Sequence, residues 1–154
     1  MYAESGAKVM ITSRKAESCE ETAAEIGHDV RWFASNVGYA DQAEAVVDHT
    51  LETFGAVDIL VNNAGAHPYA GPMIDVDVPR WEKTIQVNMT APLVLTQLCW
   101  NKYMKDSDGG CSVINISSVG GLSTNIQLGV YDVAKAGLIH MTKQFAAELG
   151  PKVR

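Results

Sequence analysis

Tyr131 and Lys135 stand four residues apart in Tyr131-Asp132-Val133-Ala134-Lys135, and Ser118 precedes the tyrosine by thirteen residues in Asn115-Ile116-Ser117-Ser118. Two residues at the (i, i+4) spacing share one face of a helix. A free phenol has a pKa of about 10, and an adjacent positive charge lowers an acid's pKa by roughly 1–3. A phenol tuned in this way donates or accepts a proton near neutral pH. A serine hydroxyl beside it can hydrogen-bond the same substrate oxygen. Together the three residue types suit reduction of a carbonyl or oxidation of an alcohol. Taken singly they have a blander reading, as a surface tyrosine and lysine and a buried serine pair.

Such a group needs elements to position it. Lys8-Val9-Met10-Ile11-Thr12-Ser13 and Val30-Arg31-Trp32-Phe33-Ala34 read as strands. Val57-Asp58-Ile59-Leu60-Val61 reads as a strand of the buried type and runs into Asn62-Asn63-Ala64-Gly65. Ser112-Val113-Ile114-Asn115-Ile116 is a fourth strand, ending at Ser117-Ser118. Residues 16–26 and 40–54 have helical character and are followed by Gly27 and Gly55, suited to C-terminal caps. Residues 67–78 hold Pro68, Gly71 and Pro72 and read as loop, with Pro79 fitted to a helix's first turn. That helix is predicted over 80–104 with a kink at Pro92, and the last helix over 129–149. Residues 119–128 read as loop. Strands and helices alternate, which predicts βαβ units and a parallel sheet with helices on both faces. One domain over 1–154 accommodates the whole pattern.

Ser118, the Tyr131/Lys135 pair and Asn62-Asn63-Ala64-Gly65, in that arrangement, resemble the short-chain dehydrogenase/reductase family over nearly the whole chain. The resemblance implies a Rossmann-like, doubly wound α/β fold and a nicotinamide cofactor. It assigns Ser118, Tyr131 and Lys135 to catalysis, with Asn88 in Gln86-Val87-Asn88-Met89 as a fourth member whose backbone carbonyl holds a water linked to the lysine. Asn63, Ala64 and Gly65 would pass beneath the cofactor, and Tyr131 and Lys135 would also meet it. The implied reaction moves a hydride to a carbonyl carbon while Tyr131 donates the proton, Ser118 orients the carbonyl and Lys135 binds the nicotinamide ribose.

The cofactor's adenosine end is read from Ser13, Arg14, Asn36 and Val37. In the family a carboxylate after the second strand favours NAD, and an arginine accommodates the phosphate of NADP. Here the strand ends Thr12-Ser13-Arg14-Lys15 without an acid, so NADP(H) is favoured. Asn36-Val37 stands where relatives often carry Asp-Val against adenine. The alternative is that Arg14 and Lys15 form a solvated helix-start pair. No Gly-x-x-x-Gly-x-Gly precedes Lys8, and Lys152-Val153-Arg154 reads as the start of another strand. The expectation is therefore an internal fragment whose first strand and last strands are missing, with the absent first strand belonging between 8–13 and 57–61. Two functions compete. One is an NADP(H)-dependent carbonyl or 3-oxoacyl reductase, faintly of the carbonyl and retinal reductase branch. The other is a catalytically silent chain acting by association with full-length subunits. The helices at 80–104 and 129–149 resemble those that build family homodimers and homotetramers.

Composition narrows the classes. The chain is 47% hydrophobic and 19% charged with net charge −6, as suits a soluble globular protein. It has no basic stripe, which speaks against nucleic acid. No apolar run is long enough for a membrane span, and no signal-peptide pattern is visible. Cys19, Cys99 and Cys111 fit reduced, packed thiols of a cytoplasmic protein. His28, His49, His67 and His140 lack metal-ligand spacing and read as structural or surface residues.

Overall fold

The computed structural model describes residues 1–154, which fall into two compact units, 1–57 and 58–154. In the first, β1 (Val9–Ser13), α1 (Ala16–Ile26), β2 (Val30–Ala34) and α2 (Ala40–Phe54) follow in order. β1 and β2 pair in parallel, with Val9 opposite Val30 and Ser13 opposite Ala34. The connecting helix α1 makes this a βαβ unit. Helix α2 buries Ala43, Val46 and Val47, spaced as one helical face. Gly55 then stops it in the left-handed region at φ 76°, where its N–H donates to the Leu51 carbonyl.

The second unit carries β3 (Ile59–Asn62), α3 (Val78–Ile85), α4 (Ala91–Cys99), β4 (Ser112–Asn115) and α5 (Gly129–Leu149). β3 and β4 are parallel, Ile59 opposite Ser112 and Asn62 opposite Asn115. Asp77 caps α3 by accepting the Arg80 N–H at 2.8 Å, and Pro79 occupies the first turn, where a missing N–H costs nothing. On α5, Val130, Ala134 and Leu138 recur every fourth residue and are buried. Tyr131 and Lys135 stand one position on, so the same helix supplies a core stripe and a polar stripe beside it. No helix is long and apolar enough to cross a membrane.

The predicted elements correspond to observed ones, with differences that have physical causes. The helix expected over 80–104 is helical from Val78 to Met104 but contains two π segments, Gln86–Thr90 and Trp100–Met104. Pro92 has no N–H to give the Asn88 carbonyl four residues earlier. Just before it the ladder widens, and Ala91 donates to Gln86, five residues back. The loop at 67–78 contains a 3-10 turn, Met73–Asp75, and the loop at 119–128 another, Val119–Gly121. The strand at 57–61 was expected to be buried, and this is corrected: Ile59 and Val61 are 47% and 41% exposed. β3 pairs with β4 alone and β1 with β2 alone, so β3 has an open edge and an uncovered side. The two ladders are separate two-stranded sheets. At the other end, Val153 forms a parallel bridge with Cys111, in keeping with a strand start there. All three cysteines are free and buried.

Candidate active site

The end of β4 and the middle of α5 are joined by two reciprocal hydrogen bonds. Lys135 Nζ donates to the Ile116 carbonyl at 2.7 Å, and Ser117 Oγ donates to the Lys135 carbonyl at 3.0 Å. An ammonium has three donors, so Lys135 keeps two for other partners. It is only 3% exposed, and burial lowers its pKa from the usual lysine value. Its ammonium nitrogen lies 5.6 Å from the centre of the Tyr131 ring. The spacing of Tyr131 and Lys135 thus produces the shared face the sequence predicts.

Ser118 follows directly, in extended backbone, as the cap of the turn Val119–Gly121. Its Oγ accepts the Gly120 N–H at 3.2 Å. That bond uses the hydroxyl's acceptor side and leaves its hydrogen free to be donated. The turn packs tightly on α5: a methyl carbon added at Gly121 would come within 2.9 Å of the Lys135 carbonyl carbon and oxygen.

Asn88 is fully buried inside the π segment. Its Nδ2 donates to the Ala66 carbonyl at 2.7 Å and to the Thr84 carbonyl at 2.9 Å. The side chain therefore ties the segment after Gly65 to the helix and is shut off from any ligand. Its backbone carbonyl is the one that Pro92 leaves without the usual helical donor. Asn63, Ala64 and Gly65 leave the C-terminal end of β3 exposed to solvent.

In the first unit, Ser13 and Arg14 leave β1 where Asn36 and Val37 follow β2, at the same end of a parallel pair. Ser13 and Arg14 are exposed. Asn36 Oδ1 accepts the Gly38 N–H at 3.2 Å, an Asx turn, which leaves the amide nitrogen to offer.

Other residues that shape the site gave less signal. His67, read as structural or surface, is exposed and meets Tyr131 edge to face, ring centres 5.6 Å apart at 65°. Asn62 and Asn115 face each other across the strands, with Asn62 Nδ2 donating to Asn115 Oδ1 at 2.8 Å. Asn115 Nδ2 then donates to Thr142 Oγ1 at 2.9 Å. This ladder joins β3, β4 and α5, the elements from which Asn63, Ser118 and Tyr131 project. A polar residue closing each of two apolar strands was the available clue.

The short chain dehydrogenase family model matches residues 1–154. Dehydrogenase/reductase SDR family member 4 of Rattus norvegicus is 37% identical over 153 residues, covering 97% of this chain and 54% of the relative. Human dehydrogenase/reductase SDR family member 2, mitochondrial, is 36% identical over 154 residues, again covering 97% and 54%. The chain thus spans about half the length of these curated relatives. Among solved structures, 3-ketoacyl-(acyl-carrier-protein) reductase from Brucella melitensis, complexed with NADH, superposes with a TM-score of 0.94 at 30% identity, covering 99% of this chain and 64% of that one. Its fold is the Rossmann-type α/β fold that the parallel strands and intervening helices describe. The chain belongs to the short chain dehydrogenase family.

Proposed function

We propose that these residues serve an NADP(H)-dependent oxidoreductase that reduces a ketone, aldehyde or 3-oxoacyl carbonyl to an alcohol, with 1–154 forming one catalytic and dinucleotide-binding domain. The observation that carries this reading is Lys135, anchored on the Ile116 carbonyl and held 5.6 Å from the Tyr131 ring, together with a Ser118 hydroxyl whose hydrogen is uncommitted and whose turn packs against the Lys135 carbonyl at Gly121. The residues present fit a nicotinamide cofactor. Lys135 has spare donors for a ribose, and Asn63-Ala64-Gly65 offer open backbone without bulky side chains. Arg14, with no acid at Ser13, suits a ribose phosphate.

When bound, the nicotinamide supplies the hydride. Ser118 donates a hydrogen bond to the carbonyl oxygen and aligns it. Tyr131 gives that oxygen its proton. The Lys135 ammonium favours the phenolate left behind. The Asn88 carbonyl, which Pro92 deprives of its usual i+4 donor, would hold a water that returns the proton. The ketoacyl reductase named above and the dehydrogenase/reductase relatives support a carbonyl substrate. Tyr131→Phe removes the acidic hydrogen and keeps the ring. In a protein carrying these residues, the reduction rate should fall at least 100-fold while NADPH fluorescence titration is little changed. A mutant keeping most of the rate would overturn the proton-donor role.

A second reading is favoured by the open strand edges. β1 and β3 each pair on one side only, and two-stranded sheets are marginal in water. On that reading the chain by itself is catalytically silent and acts by association with longer subunits through its edges and long helices, as homodimers or homotetramers form. Titration of the isolated chain with NADPH separates the two: saturable micromolar binding with ketone reduction favours the first, and neither favours the second.

A further inference from the structure

Asp132 sits between Tyr131 and Lys135 in sequence but points elsewhere. It is only 6% exposed. Its Oδ2 accepts the Asn125 N–H at 3.1 Å, and its Oδ1 is buried with no hydrogen-bond partner. That oxygen lies hard against Gly120: a methyl carbon added there would come within 2.0 Å of it. A buried polar atom without a partner is a cost that ordinary packing removes. Its retention here needs a reason, and the surrounding bonds supply one.

Two lines of contact lead outward from this carboxyl group. Through Gly120 it touches the residue whose N–H fixes the Ser118 hydroxyl. Through Asn125 it reaches Gln127, whose N–H donates to Asn125 Oδ1 at 2.9 Å. Gln127 in turn accepts the Gly71 N–H through its carbonyl at 3.1 Å. The loop at 66–72 is also held at its other end, where Asn88 donates to Ala66. That loop carries His67 against the Tyr131 ring. The Ser118 turn and the loop that meets Tyr131 therefore both lead back to Asp132.

We propose that Asp132 is a positioning residue: its buried carboxyl group clamps residues 119–128 onto α5 and so fixes the Ser118 hydroxyl relative to Tyr131. Its catalytic consequence rests on the reductase reading above, whereas the clamp itself does not. The clamp requires an acceptor at this position, and no charge is needed. Asparagine keeps the acceptor and alanine removes it.

Hydrogen exchange on the folded chain, read at single amides, tests the clamp. In Asp132→Ala the Asn125 and Gly120 amides should exchange at least tenfold faster, with α5 amides beyond 138 unchanged. In Asp132→Asn both should keep their protection. If Asp132→Ala fails to fold, Asn125→Pro removes the same bond from the exposed loop, and Gly120 should again exchange faster. Unchanged Gly120 protection in the folded variant overturns the proposal. Where turnover is measurable, Asp132→Ala should lower kcat at least tenfold with the cofactor Kd unmoved, and Asp132→Asn should restore it. An unaltered kcat alongside faster exchange would also overturn the positioning role. An unmutated protein without turnover would sink the reductase reading instead, and exchange alone would then decide on the clamp.

Discussion

Gly121→Ala is the smallest change that separates the Ser118 turn from α5. A methyl carbon at Gly121 would lie 2.9 Å from the carbonyl carbon and oxygen of Lys135 and 2.8 Å from Ile139 Cδ1. Non-bonded carbons rest at about 3.5–4.0 Å. The isoleucine tip can rotate away, but the helix backbone cannot, so the turn must withdraw by roughly 0.5–1 Å. Overpacking of this kind costs about 1–3 kcal/mol. At roughly 2–4 °C per kcal/mol for a chain of this size, thermal unfolding should shift down by several degrees. Misplacement by about 1 Å can cost ~100-fold in rate, so turnover should suffer more than stability. Gly137→Ala is the matched control. Its added carbon meets Met89 at 2.6 Å from Cε and 2.8 Å from Sδ, the flexible end of a side chain that can swing aside. Alanine also favours a helix interior over glycine by about 1 kcal/mol, so this variant should unfold near or above the parent temperature. Calorimetry of both variants, with single-turnover rates where turnover exists, gives the comparison. Equal unfolding temperatures and equal rates would show that close packing of the turn on Lys135 does not position Ser118.

Ser13→Asp places a carboxylate where the ribose phosphate is expected and should reverse a preference for NADPH over NADH; a parent that already prefers NADH would defeat the Arg14 argument. Asn115→Leu removes the middle of the Asn62–Asn115–Thr142 ladder and leaves Asn62 Nδ2 unpaired, while the Thr142 hydroxyl keeps its bond to the Leu138 carbonyl, which should cost about 1–3 kcal/mol in urea unfolding. The Cys99 thiol is pushed up from 9.0 to about 12, first by burial and then by neighbouring Cys111. Above the unfolded pKa only the unfolded chain gives up this proton, so stability should fall as pH rises past 9, by at most ~1.4 kcal/mol per pH unit. Lys135, with its pKa lowered by burial, acts in the opposite sense below the ordinary lysine value, so the test is the slope: Cys99→Ala should flatten the alkaline decline and Lys135→Met should steepen it.

The fold was legible where periodicity and caps agree. Val30–Ala34, Ala16–Ile26, Ala40–Phe54 and Gly129–Leu149 have the predicted bounds, because β-branched runs and fourfold spacing are local signals read without partners. The π segments were less legible. Pro92 announces a defect, but whether a helix bends, breaks or widens there depends on what takes up the freed carbonyls. Burial of β3 was misread for a related reason. Ile59 and Val61 have the composition of a covered strand, and only the pairing of neighbours decides whether cover exists.

The candidate site divides along the same line. Ser118, Tyr131 and Lys135 could be proposed because chemistry restricts which residue types serve and helical geometry restricts their spacing. The residues that hold them could not. Asp132 is one carboxylate in an ordinary helical stretch, and nothing local says that its carboxyl group turns to Asn125 and Gly120. Thr142 is a helix threonine until Asn115 donates to it across 27 residues. Ser117 looks like Ser118's twin, yet its hydroxyl is spent on the Lys135 carbonyl while Ser118 keeps its hydrogen. A single peptide step separates a fastening from a candidate donor. That difference arises because strand β4 ends there and successive side chains leave on opposite sides of extended backbone. The candidate reacting groups are thus fixed by type and spacing, and their supports by long-range contacts that many sequences could supply. Substitutions at the supports should accordingly move rates and exchange protection while leaving the motif itself intact.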